Sequence, residues 1–334
     1  MSNMTYDAAD VAAIQGSGIL PSLKAQGFVF DGNDDGSLYF AQELDVVKQK
    51  TYDVKYPRMT GLDLIHASHE VNPGAESITY YSYDKTGFAA IIGNYATDLP
   101  RADVVGAPHT SSVVSIGASY GYSMQDMRSS KLANKKLDQR RGESARYQIE
   151  RKINELVFAG DAEHNVTGLL SSGNSIPIYT LATVSGSTSW KNKTADEIIA
   201  DIIGIISYQA TTTMDVEAPD SIALPPSVVR ELTAKRIDGT DVSVMQYLKK
   251  TLTSIKNWKE CPELEAASTA TNRFGSRVMI VYKDDAEKAT FEIPMAFYQY
   301  PAQPRNLEIQ INCEARVGGL IIYYPMAFTI AAGL

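Results

Sequence analysis

Three observations predict an α+β fold. Residues 114–124 and 307–317 each alternate apolar and polar or small side chains with a period of two, the signature of half-buried strands. Between them, Leu137 to Ala159 is free of proline and carries Ala145, Ile149, Ile153, Leu156 and Val157 at helical spacing. The remainder consists of short apolar runs separated by turn residues, which suits a chain with 14 prolines, 23 glycines and 19 tyrosines. At 334 residues and 44% hydrophobic content the chain can bury a sizeable core, divided into two domains or a discontinuous pair.

Residues 1–60 mix an amphipathic stretch around Val11, Ile14, Ile19 and Leu20 with the turn-rich segment Asp31 to Gly36, and read as an arm lying on other structure. Residues 61–110 begin with a strand at Ile65 to Val71, turned by Asn72-Pro73-Gly74. Tyrosine-rich Ser77 to Asp84 and Phe88 to Tyr95 then form a hairpin about Lys85-Thr86-Gly87, after which Asp98 to Pro108 leads back to the body. Two strands alone are marginal in water, so such a hairpin needs a partner surface.

Residues 111–193 hold the strand Val114 to Met124 and the segment Ser123-Met-Gln-Asp126, which fits a capping box opening a short helix through Asn134. The long helix that follows spans about 35 Å at 1.5 Å per residue. Glu143 with Arg146, Arg146 with Glu150 and Arg151 with Glu155 support its exposed face. Gly142 costs about 1 kcal/mol against alanine within that helix and marks a bend. Gly160-Asp161 stops it, and Gly168-Leu169-Leu170 closes the unit.

Residues 194–303 alternate strands and helices. Thr194 to Glu197 is a capping box before an isoleucine-rich helix face (Ile198, Ile199, Ile202, Ile203, Ile206), Ser221 to Leu224 a buried strand, and Pro225-Pro226 the start of a helix. Asp241 precedes a further helix with Val244, Leu248 and Leu252, and Val278 to Tyr282 is a strand. Residues 304–334 return with the strand from Leu307, which pairs with the strand at Val114 and ends in Gly318-Gly319 and Leu320 to Tyr324.

The central segment, with its Gly-Tyr-Ser-Met-Gln-Asp-Met run, Leu137-Asp138, Ala145-Arg146, Asn154-Glu155-Leu156, Gly160-Asp161 and Gly168-Leu169-Leu170, resembles that of tailed-phage major capsid proteins with the Hong Kong 97 fold. The ending from Glu314 to Pro325 is similar to that family's C-terminal strands. The resemblance implies a peripheral domain, an axial domain, an extended hairpin lying on a neighbouring subunit, and an N-terminal arm. It also implies hexamers and pentamers of one chain tiling an icosahedral shell in the virion, around double-stranded DNA held without sequence-specific binding. Assembly in the host cytoplasm follows, with portal, scaffold or decoration proteins as further partners. An encapsulin-type bacterial compartment shares this fold and differs in its cargo.

Composition agrees with a wall more than with a nucleic-acid clamp. The net charge is −8 and the pI near 5.1, against a surface that grips nucleic acid throughout. Two cysteines far apart, Cys261 and Cys313, fit a reducing compartment; no basic-then-apolar leader and no apolar run of membrane-spanning length occur. Asn165-Val-Thr167 and Asn192-Lys-Thr194 match glycosylation acceptors by chance.

Gly117-Ala-Ser-Tyr-Gly121 spells a nucleophile elbow, but the alternation runs through it, so Ser119 lies mid-strand instead of on a strained turn. His66 and His69 are three apart and point to opposite faces of a strand, which does not assemble a metal site. With no Walker A loop, Rossmann fingerprint or paired-cysteine spacing, no catalytic residue, metal or cofactor is expected, and a soluble hydrolase using Ser119 or the histidine pair is the remote alternative.

Residues 128–152 carry nine Lys or Arg against three Asp or Glu. This stripe is a solvated helix face, or else a contact with packaged phosphate or a neighbour's acidic hairpin. Candidate intersubunit residues are Glu76, Asp84 and Lys85 on the hairpin and Arg128, Lys131, Lys135, Arg140 and Arg141 on the stripe.

Overall fold

The structure is a computed structural model describing residues 55–91, 100–133, 138–184 and 186–334, together with two short strands nearer the N-terminus. Met1–Tyr56 and Pro57–Leu334 are separate units. In the first, β1 (Thr5–Tyr6) pairs in parallel with β2 (Val29–Phe30). The amphipathic stretch and turn expected within residues 11–36 lie outside the described residues.

The second unit opens with a single helical turn, α1 (Gly61–Leu64), and β3 (His66–Ser68), shorter than the strand expected there. The hairpin is real but differently registered: β4 (Ser77–Gly87) pairs along its whole length with β5 (Ala102–Ser112), Ser77 opposite Ser112 and Gly87 opposite Ala102. The expected second strand at Phe88 to Tyr95 is therefore corrected. Phe88 to Ile91 have no strand pairing, and the rest of that run lies outside the described residues. Gly106 and Pro108 made β5 read as a loop, yet a two-stranded ribbon consists only of edges, where a missing N–H costs no ladder bond if it faces outward.

β6 (Val114–Ser123) leads into α2 (Met124–Ala133) and α3 (Asp138–Phe158). The Ser123 hydroxyl accepts the Asp126 N–H at 3.0 Å, the forward half of the expected cap, while the Asp126 carboxylate takes Arg141 instead. Of the pairs expected on α3, Arg146 with Glu150 forms at 2.7 Å, and Glu155 takes Lys152 at 3.0 Å. Gly142 lies against Tyr120, whose hydroxyl would be 3.3 Å from an added Cβ, so this glycine permits close approach of helix and strand. The last carbonyls of α3 are satisfied from beyond its end. Leu169 and Leu170 N–H donate to Val157 and Phe158 at 2.7 Å each, held in place by β7 (Gly160–Asp161) against β8 (Val166–Thr167).

After β9 (Ile178–Tyr179) comes α4 (Ala195–Thr212), opened by the expected capping box: the Thr194 hydroxyl accepts from Glu197 N–H, and the Glu197 carboxylate accepts the Thr194 N–H at 2.7 Å. Then follow β10 (Ser221–Leu224), α5 (Pro226–Ala234, proline at its first position) and α6 (Val244–Thr251). The cap of α6 is Ser243 with Gln246; Asp241 pairs with Arg236 instead. β11 (Asn257–Glu260), β10, β12 (Val278–Tyr282), β18 (Phe328–Ala332) and β9 form one five-stranded sheet, in the order β11-β10-β12-β18-β9.

That sheet separates two cores. Val278, Ile280 and Tyr282 of β12 face a core shared with α3, while Met279 and Val281 face one built by α4, α5 and α6. Burial on both faces explains why β12 is an unbroken apolar run and not an alternation. β13 (Ala289–Glu292) joins β3 and β17 (Gly319–Ile322) in a second sheet. In a third, β16 (Glu308–Val317) lies between β6 and a pair of short strands, β14 (Met295–Gln299) and β15 (Gln303–Arg305). β6 and β16 pair antiparallel as the sequence predicts, Val114 opposite Val317 and Ser123 opposite Glu308. α3 crosses their inner face, where Cys313, Ala315 and Val317 meet Ala145, Ile149 and Ile153.

Candidate assembly surface

The ribbon β4–β5 has two unlike faces because successive residues point to opposite sides. One face is anchored to the body at its root. Tyr80 stacks on His109 with centroids 5.0 Å apart, meets Tyr323 edge-on at 5.1 Å, and donates its hydroxyl to the Ile322 carbonyl at 3.4 Å. Desolvation, with the Tyr323 hydroxyl adding to it, raises the Tyr80 phenol above its ordinary pKa. Ile78 fits over Gly318, where an added Cβ would come within 2.4 Å of its Cδ1. Ser111 donates to the Gly318 carbonyl at 2.8 Å, and the Arg316 guanidinium donates to the carbonyls of Pro73 and, at 3.0 Å, Ala75.

The opposite face presents Tyr81, Tyr83, Val104 and Pro108 on one side of the sheet; Tyr83 is 72% exposed. Beyond the paired strands Phe88 and Ile91 are exposed as well. A concentration of large apolar side chains on so thin an element makes this face the candidate interaction surface.

The expected contact residues fall into three groups. Glu76, Asp84 and Lys85 are exposed, Glu76 at the ribbon's root and the other two toward its far end, opposite Val105 and Val104. Arg128 and Lys131 on α2 and Arg140 on α3 are exposed, and Lys135 lies outside the described residues. Arg141 is engaged within the chain. It donates to the Gly121 carbonyl, reaches Asp126 Oδ2 at 3.2 Å and sits over the Tyr122 ring at 4.6 Å, tying α3 to β6. Sequence spacing could not tell Arg141 from Arg140, since only the strand's position decides which one turns inward.

The residues weighed for chemistry do not converge. Ser119 lies mid-strand opposite Asn312. His66 Nε2 is 3.2 Å from Asp284, His69 Nδ1 is 2.9 Å from the Ile293 carbonyl, and His109 Nε2 is 2.9 Å from Ser82 Oγ. His164 bonds Asp161 at 2.9 Å, which is the main cause holding that carboxyl below its ordinary range. Asp161, Glu163 and His164 are the one grouping of ligand-type side chains among the described residues, and Asp161 already accepts the Glu163 N–H at 3.0 Å as a turn residue does. Among the described residues no helix is long and apolar enough to cross a membrane.

The contacts at the ribbon's root were not legible in sequence, because Arg316, Gly318 and Tyr323 come from the far end of the chain. A second long-range junction was also missed. The buried Glu263 carboxylate accepts the Thr60 N–H (3.0 Å), the Thr60 hydroxyl (2.6 Å) and the Asn154 amide (2.7 Å).

Comparison with known proteins places this geometry. A family model described as major capsid protein matches residues 87–334. The capsid of Myoviridae phage XM1 superposes with a TM-score of 0.77 over 90% of this chain and 100% of its own, at 19% identity. A chain of Mycobacterium phage Bobi gives 0.61 over 86% of this chain and 94% of its own, at 11% identity. A virus-like particle from Pyrococcus furiosus gives 0.52 over 81% and 91%, at 10% identity. No curated protein sequence matches.

Proposed function

Since the chain belongs to the major capsid protein family and has the Hong Kong 97 fold, we propose that it assembles into hexamers and pentamers that tile the icosahedral head of a tailed phage around its double-stranded DNA. The work is assembly and not turnover. Residues 111–193 with 304–334 act as the peripheral domain, 194–303 as the axial domain, and 1–60 as an arm overlapping neighbours. Portal, scaffold or decoration proteins complete the particle in the host cytoplasm.

One observation carries this reading. The ribbon holds one face to its own body through Tyr80, Ile78 and Ser111, and leaves Tyr81, Tyr83 and Val104 facing water. The two-stranded ribbon is marginal alone, so a neighbouring copy supplies the missing surface. Glu76, Asp84 and Lys85 then lie at the rim of that contact, with Arg128, Lys131, Lys135 and Arg140 of the neighbour as charge partners for the two acids. Each interface is modest, and repetition around every subunit makes the shell strong.

The test replaces Ser77–Ser112, whose ends are paired neighbours, by a short glycine link. The body should fold with its thermal transition intact and form no closed shell; intact shells would refute the role given to the ribbon. The sequence resemblance keeps an encapsulin-type compartment as a second reading, favoured if purified shells carry an enzyme and no DNA.

A further inference from the structure

Helix α4 ends in a turn that carries the chain to Glu217, whose buried carboxylate pairs with Lys288 at 2.6 Å. Met214 and Asp215 take left-handed backbone angles, φ 51° and 62°, a region that aspartate tolerates and methionine seldom adopts. The turn is nonetheless firmly held. Met214 N–H donates to Thr211 at 3.2 Å, Asp215 to Ala210 at 2.8 Å and Val216 to Thr213 at 3.1 Å, while buried Gln209 donates to the Glu217 carbonyl at 3.1 Å. A fixed backbone thus holds Met214, 89% exposed, and Val216, 69% exposed, out in water with the Asp215 carboxylate between them. An apolar tip built this rigidly is the form of a contact surface and not of a loose loop.

At the other end of the same helix is a hollow. Trp190, Ile198 in the first turn of α4, and Leu232 of α5 form its apolar floor, with Lys191 and Lys235 on the rim. The rim's carboxylate, Glu231, is paired with Arg277 at 2.7 Å, and the Lys235 ammonium donates to the Trp190 carbonyl at 3.2 Å and to the Lys193 carbonyl, which leaves Lys191 as an exposed cation on the rim.

Tip and hollow are separated by α4, whose 18 residues span about 27 Å, so they do not meet within one chain. A contact between tip and hollow of different copies would be head to tail, and a contact joining different patches on identical subunits closes into a ring when its rotation permits. We infer that Met214 and Val216 of one copy seat in the Trp190–Ile198–Leu232 hollow of the next, with Asp215 facing Lys191. The occupant is a second copy because shape class and sign both match: apolar tip to apolar floor, carboxylate to lysine rim. This inference rests on the proposed shell assembly and names a contact that turns single subunits into rings.

The full chain is to be purified as wild type, as M214D/V216D and as M214C/A234C. Ala234 is exposed at the hollow, and the native cysteines are both buried, so the added thiols react without background. Wild type is expected to assemble. M214D/V216D should keep the wild-type circular dichroism and melting temperature and give at least ten-fold less assembled material. Assembled M214C/A234C should, on mild oxidation, give a non-reducing gel ladder ending at closed rings. Wild-type yields of shells from M214D/V216D, or assembled M214C/A234C whose thiols do not join, would overturn the contact and leave shell assembly standing. A wild-type chain that stays single at every concentration and salt would overturn both.

Discussion

Glu263 and Thr60, 203 residues apart, meet in a buried double hydrogen bond: the Thr60 N–H donates to one carboxylate oxygen at 3.0 Å and its hydroxyl to the other at 2.6 Å. The Asn154 side chain donates to the same carboxylate at 2.7 Å and accepts the Gly61 N–H at 2.8 Å. One acidic group thereby fixes the start of the second unit to the C-terminal part of α3. Glu263→Gln keeps the volume and turns an amide N–H₂ toward these donors. It should cost about 1–3 kcal/mol, read as a lowered urea midpoint with an unchanged slope.

The Lys193 ammonium lies 2.5 Å from Asp201 with both side chains buried, and Asp201 also accepts the Trp190 indole N–H at 2.9 Å. Asp201→Asn leaves a buried cation without its counter-charge, which should cost about 3–5 kcal/mol. The double variant K193M/D201L should recover most of that loss. Thermal melts of all three separate a need for the charge pair from a need for filled volume.

The carboxyl of Glu197 is held below its ordinary value of 4.5, first by the Thr194 N–H and then by the Thr194 hydroxyl. A carboxyl with a lowered folded pKa adds stability above its unfolded value, and that contribution fades as pH falls through the folded one. Wild type should therefore lose more stability than E197Q on acidification below 4.5, while the two lose alike above it. Urea melts across an acidic pH series check the sign; equal acid losses would remove the charge from the account.

Burial pushes the Cys261 thiol up to about 12, the nearby Thr60 hydroxyl opposing it only in part, and burial raises Cys313 too. Neither thiolate forms appreciably at neutral pH. Iodoacetamide at pH 8 should leave the folded chain unlabelled and label both residues at the rate of global opening; rapid labelling of either would contradict the packing.

Much of this fold is legible wherever one face of an element is buried and the other is not. The alternation in 114–124 and 307–317 gave both strands and their pairing, and the stripe Ala145–Ile149–Ile153 gave the face α3 turns inward. The register of the ribbon was not legible. Phe88-Ala-Ala-Ile91 has strand-like composition, whereas β5 contains Gly106 and Pro108, and only pairing with β4 outweighs those local signals. The turn at Met214 was equally hidden, since methionine does not advertise a left-handed backbone. Arg141 shows the same limit at a single residue: its partners Gly121, Tyr122 and Asp126 come from the preceding strand and helix.

The central claim is that copies of this chain join into rings and a shell. Negative-stain electron microscopy of the recombinant full chain, with size-exclusion chromatography of the same sample, tests it most directly. Closed particles, or rings of five and six, are the predicted result; a monodisperse monomer or dimer across protein and salt concentrations would contradict it.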